Sequence, residues 1–238
     1  MKKDVIKIED LTIAYNENPV LWDIDLEIPE NTRCAIIGPN GAGKSTLIKG
    51  ILDLIKPISG SIRLWDKPLD QVRDRISYVP QTGDVNWDFP TTVFDVVLMG
   101  RYQKIGLFKR PSKEDKELAL RALRDMKMED FSDRQISQLS GGQRQRVFIA
   151  RSLCQDADLY IMDEPLTGVD ETTEKIIMDK FLDLQKNGKT VIAVHHDLGT
   201  IKEYFDYVVM LNKTVKVHGP AEETMTQANI ERAYRVKE

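Results

Sequence analysis

Two glycine-rich segments of this chain carry the residue types that bind phosphate groups. The first is the run Gly38-Pro39-Asn40-Gly41-Ala42-Gly43-Lys44-Ser45-Thr46, which fits the pattern G-x-x-x-x-G-K-[ST]. Its glycines let the chain turn without a Cβ in the way, so that backbone N–H groups converge on phosphate oxygens at the positive end of a helix starting near Lys44. We expect Lys44 to reach the β- and γ-phosphates of a nucleotide and the Ser45 hydroxyl to hold Mg²⁺.

A glycine-rich turn can also be a plain connection between a strand and a helix. The apolar run at residues 33–37, directly before the loop, is typical of a buried strand. A plain connection gives no reason for a lysine and a serine at the start of the following helix. The interpretation as a phosphate-binding loop is therefore preferred.

Two adjacent carboxylates, Asp163 and Glu164, follow a second apolar run at residues 159–162. Parallel strands of an α/β sheet end at its ligand-binding edge. We expect Asp163 to act on the metal, directly or through a water, and Glu164 to lie beside the attacking water as general base or polarising group. A strand that merely stops at solvent commonly shows one carboxylate, so the pair favours the catalytic interpretation.

The second glycine-rich segment, Ser140-Gly141-Gly142-Gln143, precedes a helix-like run. A serine followed by glycines can simply be the N-cap of that helix. The same cap is also suited to anion binding, because Ser140 and the N–H groups after it form a second anion-binding helix terminus.

The order of these motifs resembles the nucleotide-binding subunit of an ATP-binding cassette (ABC) transporter, over essentially the whole chain. The run Leu139-Ser140-Gly141-Gly142-Gln143 is similar to the signature motif of that family, whose helix faces the γ-phosphate held by the opposite subunit. The resemblance implies a head-to-tail homodimer with ATP and Mg²⁺ at its interface. It also implies integral membrane permease subunits, an indirect extracytoplasmic solute-binding protein, and a location at the cytoplasmic face of the cell membrane.

The resemblance also implies roles for single residues. Tyr15 matches the aromatic residue that stacks on adenine, and Gln81 matches the glutamine that touches Mg²⁺ and links the site to the membrane partner. Asp170 matches the loop that crosses the dimer interface, although Thr167-Gly168-Val169 before it departs from the commoner Ser-Ala-Leu form. His196 matches the histidine that contacts the γ-phosphate, so the implied catalytic set is Glu164, His196 and Lys44.

The adjacent histidines at 195 and 196 could suggest a metal site. Successive strand side chains point to opposite faces, so these two rings do not readily converge on one ion. His195 is therefore expected to be structural, and His218, which stands apart in the sequence, is expected at the surface.

Composition is typical of a catalytic subunit that does not enter the bilayer. The 238 residues can bury one substantial core, and the net charge of -4 argues against nucleic acid as the main partner. The sequence has no apolar run of about 18 residues and no signal-peptide pattern at its start. Cys34 and Cys154 lie in strand-like and helix-like segments and are expected to be small buried hydrophobes.

The predicted fold class is α/β, a P-loop NTPase core of RecA-like type with a mainly parallel sheet. An antiparallel β-subdomain precedes the phosphate loop, and a helical subdomain at about 87–154 is inserted in the single cassette of residues 1–238. Ser112 and Asp115 are a plausible capping pair for a helix over 112–128. A hairpin is expected to turn near Asn212.

The structure expected between the two glycine-rich motifs differs among classes of cassette protein. Cassettes of chromosome maintenance carry a long coiled coil there, and cassettes of translation usually occur twice per chain, whereas this chain has one cassette with a compact helical lobe. A soluble single cassette acting in assembly remains the alternative. Against it, Trp87 and Phe89 suit a groove for a partner's helix, unless they pack the lobe onto the core.

The transported solute is suggested by a finer resemblance alone. The segments Asn86-Trp87-Asp88-Phe89-Pro90, Val97-Leu98-Met99-Gly100-Arg101-Tyr102, Asp133-Arg134-Gln135-Ile136 and His195-His196-Asp197-Leu198 are similar to those of manganese and zinc importers. Importers of iron chelates and cobalamin share parts of this pattern. Manganese is favoured over zinc.

Overall fold

The computed structural model describes residues 3–16, 18–81, 89–106 and 109–235. The chain divides into two compact units. Unit 1 comprises Met1–Arg73 with Leu184–Glu238, and unit 2 comprises Asp74–Asp183.

The regular elements follow the chain in a strand-rich first part, a helical middle and an alternating last part. The strands are β1 (Asp4–Tyr15), β2 (Asn18–Pro29), β3 (Arg33–Ile37), β4 (Ser59–Leu64), β5 (Ile76–Val79), β6 (Leu159–Met162), β7 (Thr190–Val194), β8 (Tyr207–Asn212) and β9 (Thr214–Pro220). The helices are α1 (Lys44–Ile51), α2 (Val93–Leu98), α3 (Tyr102–Ile105), α4 (Lys113–Asp125), α5 (Gly141–Cys154), α6 (Glu171–Lys186), α7 (Ile201–Tyr204), α8 (Ala221–Thr224) and α9 (Gln227–Tyr234).

Unit 1 contains an antiparallel sheet in the order β2-β1-β4. On β2 the side chains of Ile24, Leu26 and Ile28 are buried, while the charged residues between them are exposed. This period of two gives the sheet one apolar and one solvated face. The predicted half-exposed strand before the phosphate loop is confirmed.

Unit 1 also contains neighbouring strands in the order β7-β3-β8-β9. Strand β3 runs parallel to both β7 and β8, and every residue from Cys34 to Ile37 is completely buried. Strand β9 returns antiparallel to β8, pairing Asn212 with Thr214, so the predicted hairpin is confirmed. The carboxyl end of β3 leads directly into the glycine-rich loop and α1.

Unit 2 pairs β5 with β6 in parallel and holds helices α2 to α5. Helix α4 has the predicted capping box, in which Ser112 and Asp115 satisfy each other's backbone N–H groups, but it ends at Asp125, earlier than expected. Arg101 Nε donates to Asp115 Oδ1 at 2.9 Å and so fixes this helix start to the preceding segment. The predicted boundary at about 87 lies outside the described residues, and the subdomain division stays a prediction.

The two cysteines are buried and free. Burial raises the pKa of the Cys34 thiol, and it raises that of Cys154 to about 11. Both thiols therefore stay protonated at neutral pH and pack as small hydrophobic side chains, as expected.

Candidate nucleotide site

The predicted phosphate loop follows β3 in unit 1, and two of its glycines are required by packing. A Cβ at Gly38 would lie 1.9 Å from the carbonyl oxygen of Leu211. A Cβ at Gly43, where φ is 96°, would lie 2.4 Å from a methyl carbon of Leu21. The close approach of the hairpin and of β2 therefore fixes the path of the loop into α1.

Lys44 is the first residue of α1 and is only 7% exposed. Its Nζ donates to the carbonyl oxygens of Gly38 at 2.9 Å and Pro39 at 3.0 Å, so the ammonium group lies over the loop. The first turn of α1 contains no acidic residue. Its positive end, with Ser45 and Thr46 beside it, is thus suited to an anion.

The predicted acidic residues follow β6 in unit 2, and all four residues of that strand are buried. Asp163 is 2% exposed, and its N–H donates to Val79 O of β5 at 2.9 Å. Glu164 has a φ of 53°, in the left-handed region that a glutamate seldom occupies. Backbone strain of this kind persists where the surrounding structure over-determines a conformation, and it is concentrated at functional sites.

The Glu164 carboxylate is held by two neighbours. Gln81 Nε2 donates to Glu164 Oε2 at 2.9 Å, and Thr167 Oγ1 donates to the same oxygen at 3.1 Å. The structure thus brings together two of the predicted residues, Gln81 and Glu164, and adds Thr167. Thr167 is not among the residues predicted from the sequence, where it stands out only by its departure from the family pattern; its position three residues after Glu164 is the signal that points to this contact.

The signature segment forms the N-terminus of α5. Ser140 Oγ accepts from Gln143 N–H at 3.3 Å, and Gln143 Oε1 accepts from Ser140 N–H at 3.0 Å, which is a complete capping box. The box uses the amides of its own two residues. Gly141 and Gly142 lie at the first two helical positions, where N–H groups have no partner within the helix.

These two signature glycines have room for side chains. Among the described residues, a Cβ at Gly141 would have no atom within 4 Å, and a Cβ at Gly142 would meet only Thr173 Oγ1 at 3.8 Å. Neither has a positive φ. No described residue therefore requires glycine at these two positions, in contrast to Gly38.

Asp170 precedes α6 and acts locally as its cap. Its Oδ1 accepts from the N–H of Thr173 at 2.7 Å. This backbone bond and the Thr173 hydroxyl lower the pKa of Asp170, and the charge of Arg146 lowers it further. The aspartate is thereby kept ionised at the loop between β6 and α6.

The predicted aromatic and histidine residues lie at the ends of strands in unit 1. Tyr15 ends β1 with 45% of its surface exposed. His196 is exposed after β7, whereas His195 is 5% exposed, with its Nε2 2.8 Å from Thr200 Oγ1 and its ring 5.2 Å from that of Phe205. The two histidines, which directly follow β7, occupy opposite environments, one buried and one exposed.

The comparisons with known proteins identify the family. The family model described as ABC transporter matches residues 21–167. The chain is also 53% identical over 229 residues to the manganese transport system ATP-binding protein MntB of Bacillus subtilis (strain 168), covering 96% of this chain and 92% of that protein. The chain belongs to the ABC transporter family. It therefore binds and hydrolyses ATP as the cassette subunit of a membrane transport system.

Two further relatives of this ABC cassette extend the comparison. The zinc transport system ATP-binding protein TroB of Treponema pallidum (strain Nichols) is 53% identical over 229 residues, covering 96% of this chain and 86% of that protein. An inward-facing ABC transporter of the metal-chelate type superposes with a TM-score of 0.85 at 27% identity, covering 97% of this chain and 88% of that one. The predicted fold class, a P-loop NTPase core with antiparallel and helical additions, is confirmed.

Within the described ranges, the cassette has no helix with the length and hydropathy needed to cross a bilayer. As an ATP-binding subunit, it works with membrane permease partners.

Proposed function

We propose that this cassette powers the import of a divalent metal ion, with manganese as the favoured cargo and zinc as the second candidate. The observation that carries the mechanism is the N-terminus of α5, where the described part of the chain leaves room for a side chain at both Gly141 and Gly142. An external group is then the reason for the two glycines. A phosphate held by another copy of the chain fits this geometry.

The proposed assembly is a head-to-tail homodimer with ATP at its interface. The loop of residues 38–46 in one copy binds the triphosphate, Tyr15 stacks on the adenine, and the Ser140–Gln143 terminus of the other copy closes on the γ-phosphate. Asp170 lies on the loop that crosses between the copies. ATP drives closure because it binds the closed state more tightly than the open one.

In this proposal, hydrolysis depends on the side chains of Glu164, Lys44 and His196. Glu164 orients and activates the attacking water, and Gln81 and Thr167 keep its carboxylate in one direction. Lys44 leaves the carbonyls of Gly38 and Pro39 to reach the phosphates, and His196 contacts the γ-phosphate. Loss of that phosphate removes the bridge between the copies and lets the dimer reopen.

The proposed magnesium ligands are Ser45, Gln81 and Asp163. Their hydroxyl, amide and carboxylate oxygens are the donors that Mg²⁺ prefers. Because Gln81 gives its amide nitrogen to Glu164, its oxygen is the atom left for a metal. The ion would neutralise the charge of the β- and γ-phosphates.

The proposed permease contact lies on unit 2, at the cytoplasmic face of the membrane. A cavity of about 170 Å³ is lined by Tyr78, Met99, Gln103, Phe148 and Arg151, among others. Phe89 is 61% exposed and Tyr102 51% exposed. Phe89 is thus not packed against the core; Trp87, its predicted companion, lies outside the described residues. A cavity and exposed aromatic side chains on the same unit support docking of a partner's helix.

The cargo is proposed from the relatives, whose names specify manganese and zinc. Import further implies an extracytoplasmic solute-binding protein that acts through the permease. The test is to delete the gene in its host, restore it as wild type or as Glu164→Gln, and measure cellular manganese, zinc and iron by elemental mass spectrometry.

A manganese deficit that wild type alone rescues is the expected result. A selective zinc deficit would retain metal import and replace the cargo with zinc. If every metal stays at the wild-type level after redundant importers are also removed, the metal-import proposal is wrong and the soluble-assembly class becomes the better description.

A further inference from the structure

A cleft in unit 1 carries an excess of positive charge. It has a volume of about 1060 Å³ and lies between the β8–β9 hairpin, helix α9 and the predicted phosphate loop. The carboxylate among its described lining residues is Glu231, whose Oε1 accepts from Gln227 Nε2 at 3.0 Å. The cations that line the cleft are Lys213, Lys216, Arg232 and Arg235.

The cleft is joined to the phosphate loop. Pro39, Asn40 and Gly41 form one of its edges, and the last two of these residues are exposed. Lys213 N–H, at the hairpin turn, donates to Ala42 O at 2.9 Å, so the hairpin is bonded to the middle of the loop. A molecule that approaches the exposed part of the loop therefore also comes close to the cations of the cleft.

The hairpin and helix α9 hold these cations at fixed places on the surface. Asn212 Nδ2 donates to Ala233 O at 2.8 Å, which fixes the end of α9 beside the hairpin. Lys213 Nζ lies 5.7 Å from the centre of the Trp22 ring, within the range of a cation–π contact. The side chains of Lys213, Arg232 and Arg235 are exposed. The cleft can therefore bind negative charge from outside the chain.

Negative charge of this kind lies in unit 2, at the start of α6. The first turn of α6 contains Glu171 and Glu174, and Glu171 is exposed. Thr173 in the same turn lies beside the signature segment, because a Cβ at Gly142 would be 3.8 Å from Thr173 Oγ1. Any surface that the N-terminus of α5 approaches is therefore also approached by this acidic turn.

We propose that the acidic first turn of α6 in one copy docks against the basic cleft of the other copy. This contact rests on the proposed head-to-tail dimer, in which the signature segment of one copy closes on the phosphate loop of the other. The acidic turn adjoins the signature segment and the cleft adjoins the loop, so closure brings the two opposite charges together. Each dimer contains the contact twice because of its two-fold symmetry.

The test measures the dissociation constant of the Glu164→Gln dimer with ATP and Mg²⁺, by sedimentation over a range of protein concentrations. Adding Arg232→Glu should raise this constant about tenfold or more, because repulsion replaces attraction at both symmetric contacts. Adding Glu171→Arg instead should raise it in the same way. Both changes together exchange the charges, so the constant should return to within about threefold of its starting value.

The matched control is Lys67→Glu in the same background. Lys67 is an exposed cation of unit 1, three residues after the end of β4, and it is outside the described wall of the cleft. Its reversal changes the net charge as much as Arg232→Glu does, yet the dissociation constant should stay within about twofold. Raising the salt concentration from about 0.05 M to about 0.5 M should reduce the effect of Arg232→Glu by screening.

The outcomes separate this contact from the proposed dimer. If Glu164→Gln dimerises with ATP and Arg232→Glu leaves the dissociation constant unchanged, the contact is overturned and the dimer stands. If Lys67→Glu weakens the dimer equally, or if exchanging the charges restores nothing, the effect is general repulsion and the contact is also overturned. If Glu164→Gln binds ATP and stays monomeric, the proposed dimer fails and the contact fails with it.

Discussion

Gln81 donates its amide hydrogen to the carboxylate of Glu164 across 2.9 Å, at the ends of the two parallel strands of unit 2. Thr167 donates to the same oxygen, and the backbone of Glu164 has a left-handed φ of 53°. The two donors and the strained backbone together fix the orientation of the Glu164 carboxylate. A group that orients a water molecule must itself have a fixed orientation.

Gln81→Ala should therefore reduce kcat for ATP hydrolysis by about tenfold, because the carboxylate of Glu164 loses an orienting donor. Thr167→Val should give a smaller loss in the same direction. The control is Gln185→Ala, since the Gln185 amide donates to Asn31 O in unit 1. Wild-type kcat in Gln81→Ala, measured with phosphate release at saturating ATP, would contradict the orienting role.

Glycine is required for different reasons at the two predicted phosphate-binding segments, and substitutions should separate these reasons. Gly38→Ala places a methyl group against Leu211 O, so we expect a loss of about 3 kcal/mol or more in the free energy of unfolding. Gly141→Ala has open space and a helical backbone, so its stability should equal or slightly exceed that of wild type.

The activity of Gly141→Ala then tests the signature helix. If a phosphate of another copy approaches its amide, the added methyl group should lower ATPase activity about tenfold or more in a stable protein. Chemical denaturation and ATPase assays on the same preparation measure both quantities. A stable Gly141→Ala variant with wild-type activity would argue that nothing approaches this helix end.

Lys44→Ala should lose measurable affinity for ATP, because the ammonium group supplies the positive charge at the phosphate loop. Removing it also frees the carbonyl oxygens of Gly38 and Pro39, so thermal unfolding must accompany the binding titration. ATP turnover near the wild-type rate in a folded Lys44→Ala protein is the result that would exclude the loop as the nucleotide site.

The buried histidine should make stability depend on pH. Burial lowers the pKa of His195 below its ordinary value of 6.5, mainly by desolvation of the ring. Below pH 6.5 the unfolded chain binds the proton more readily than the folded one, so stability rises with pH through that window and is lost on acidification. His218, whose pKa is also lowered by burial, contributes with the same sign.

His195→Gln keeps a group that can bond Thr200 but does not titrate. We expect its melting temperature to fall less steeply than that of wild type between pH 7 and pH 5. The melting temperatures are measured by circular dichroism. If they fall equally steeply with pH in the two proteins, groups other than His195 cause the acid sensitivity.

The sequence predicts most of the fold because its local signals agree with the final packing. The apolar runs before Gly38 and Asp163 are the buried strands β3 and β6, and the Ser112–Asp115 capping box starts α4 as expected. Each of these signals depends on a few neighbouring residues, so the local sequence is enough to recognise it.

The remaining features depend on residues that are distant in sequence. His218, expected at the surface, is half-buried with its Nδ1 2.9 Å from the hydroxyl of Tyr207, because β8 and β9 pair side by side. Helix α9 is held against the hairpin by Asn212, whose Nδ2 donates to Ala233 O at 2.8 Å. No local pattern specifies which helix covers which loop, so these contacts required the structure.

We propose that ATP joins two copies of this chain, between the phosphate loop of one and the signature helix of the other. Light scattering of Glu164→Gln with saturating ATP and Mg²⁺ tests it most directly, because this variant should bind ATP and hydrolyse it about 10²- to 10⁴-fold more slowly. We predict a dimer with ATP, a monomer without it, and a monomer in both conditions for Lys44→Ala/Glu164→Gln. A Glu164→Gln protein that binds ATP fully and stays monomeric would contradict the account.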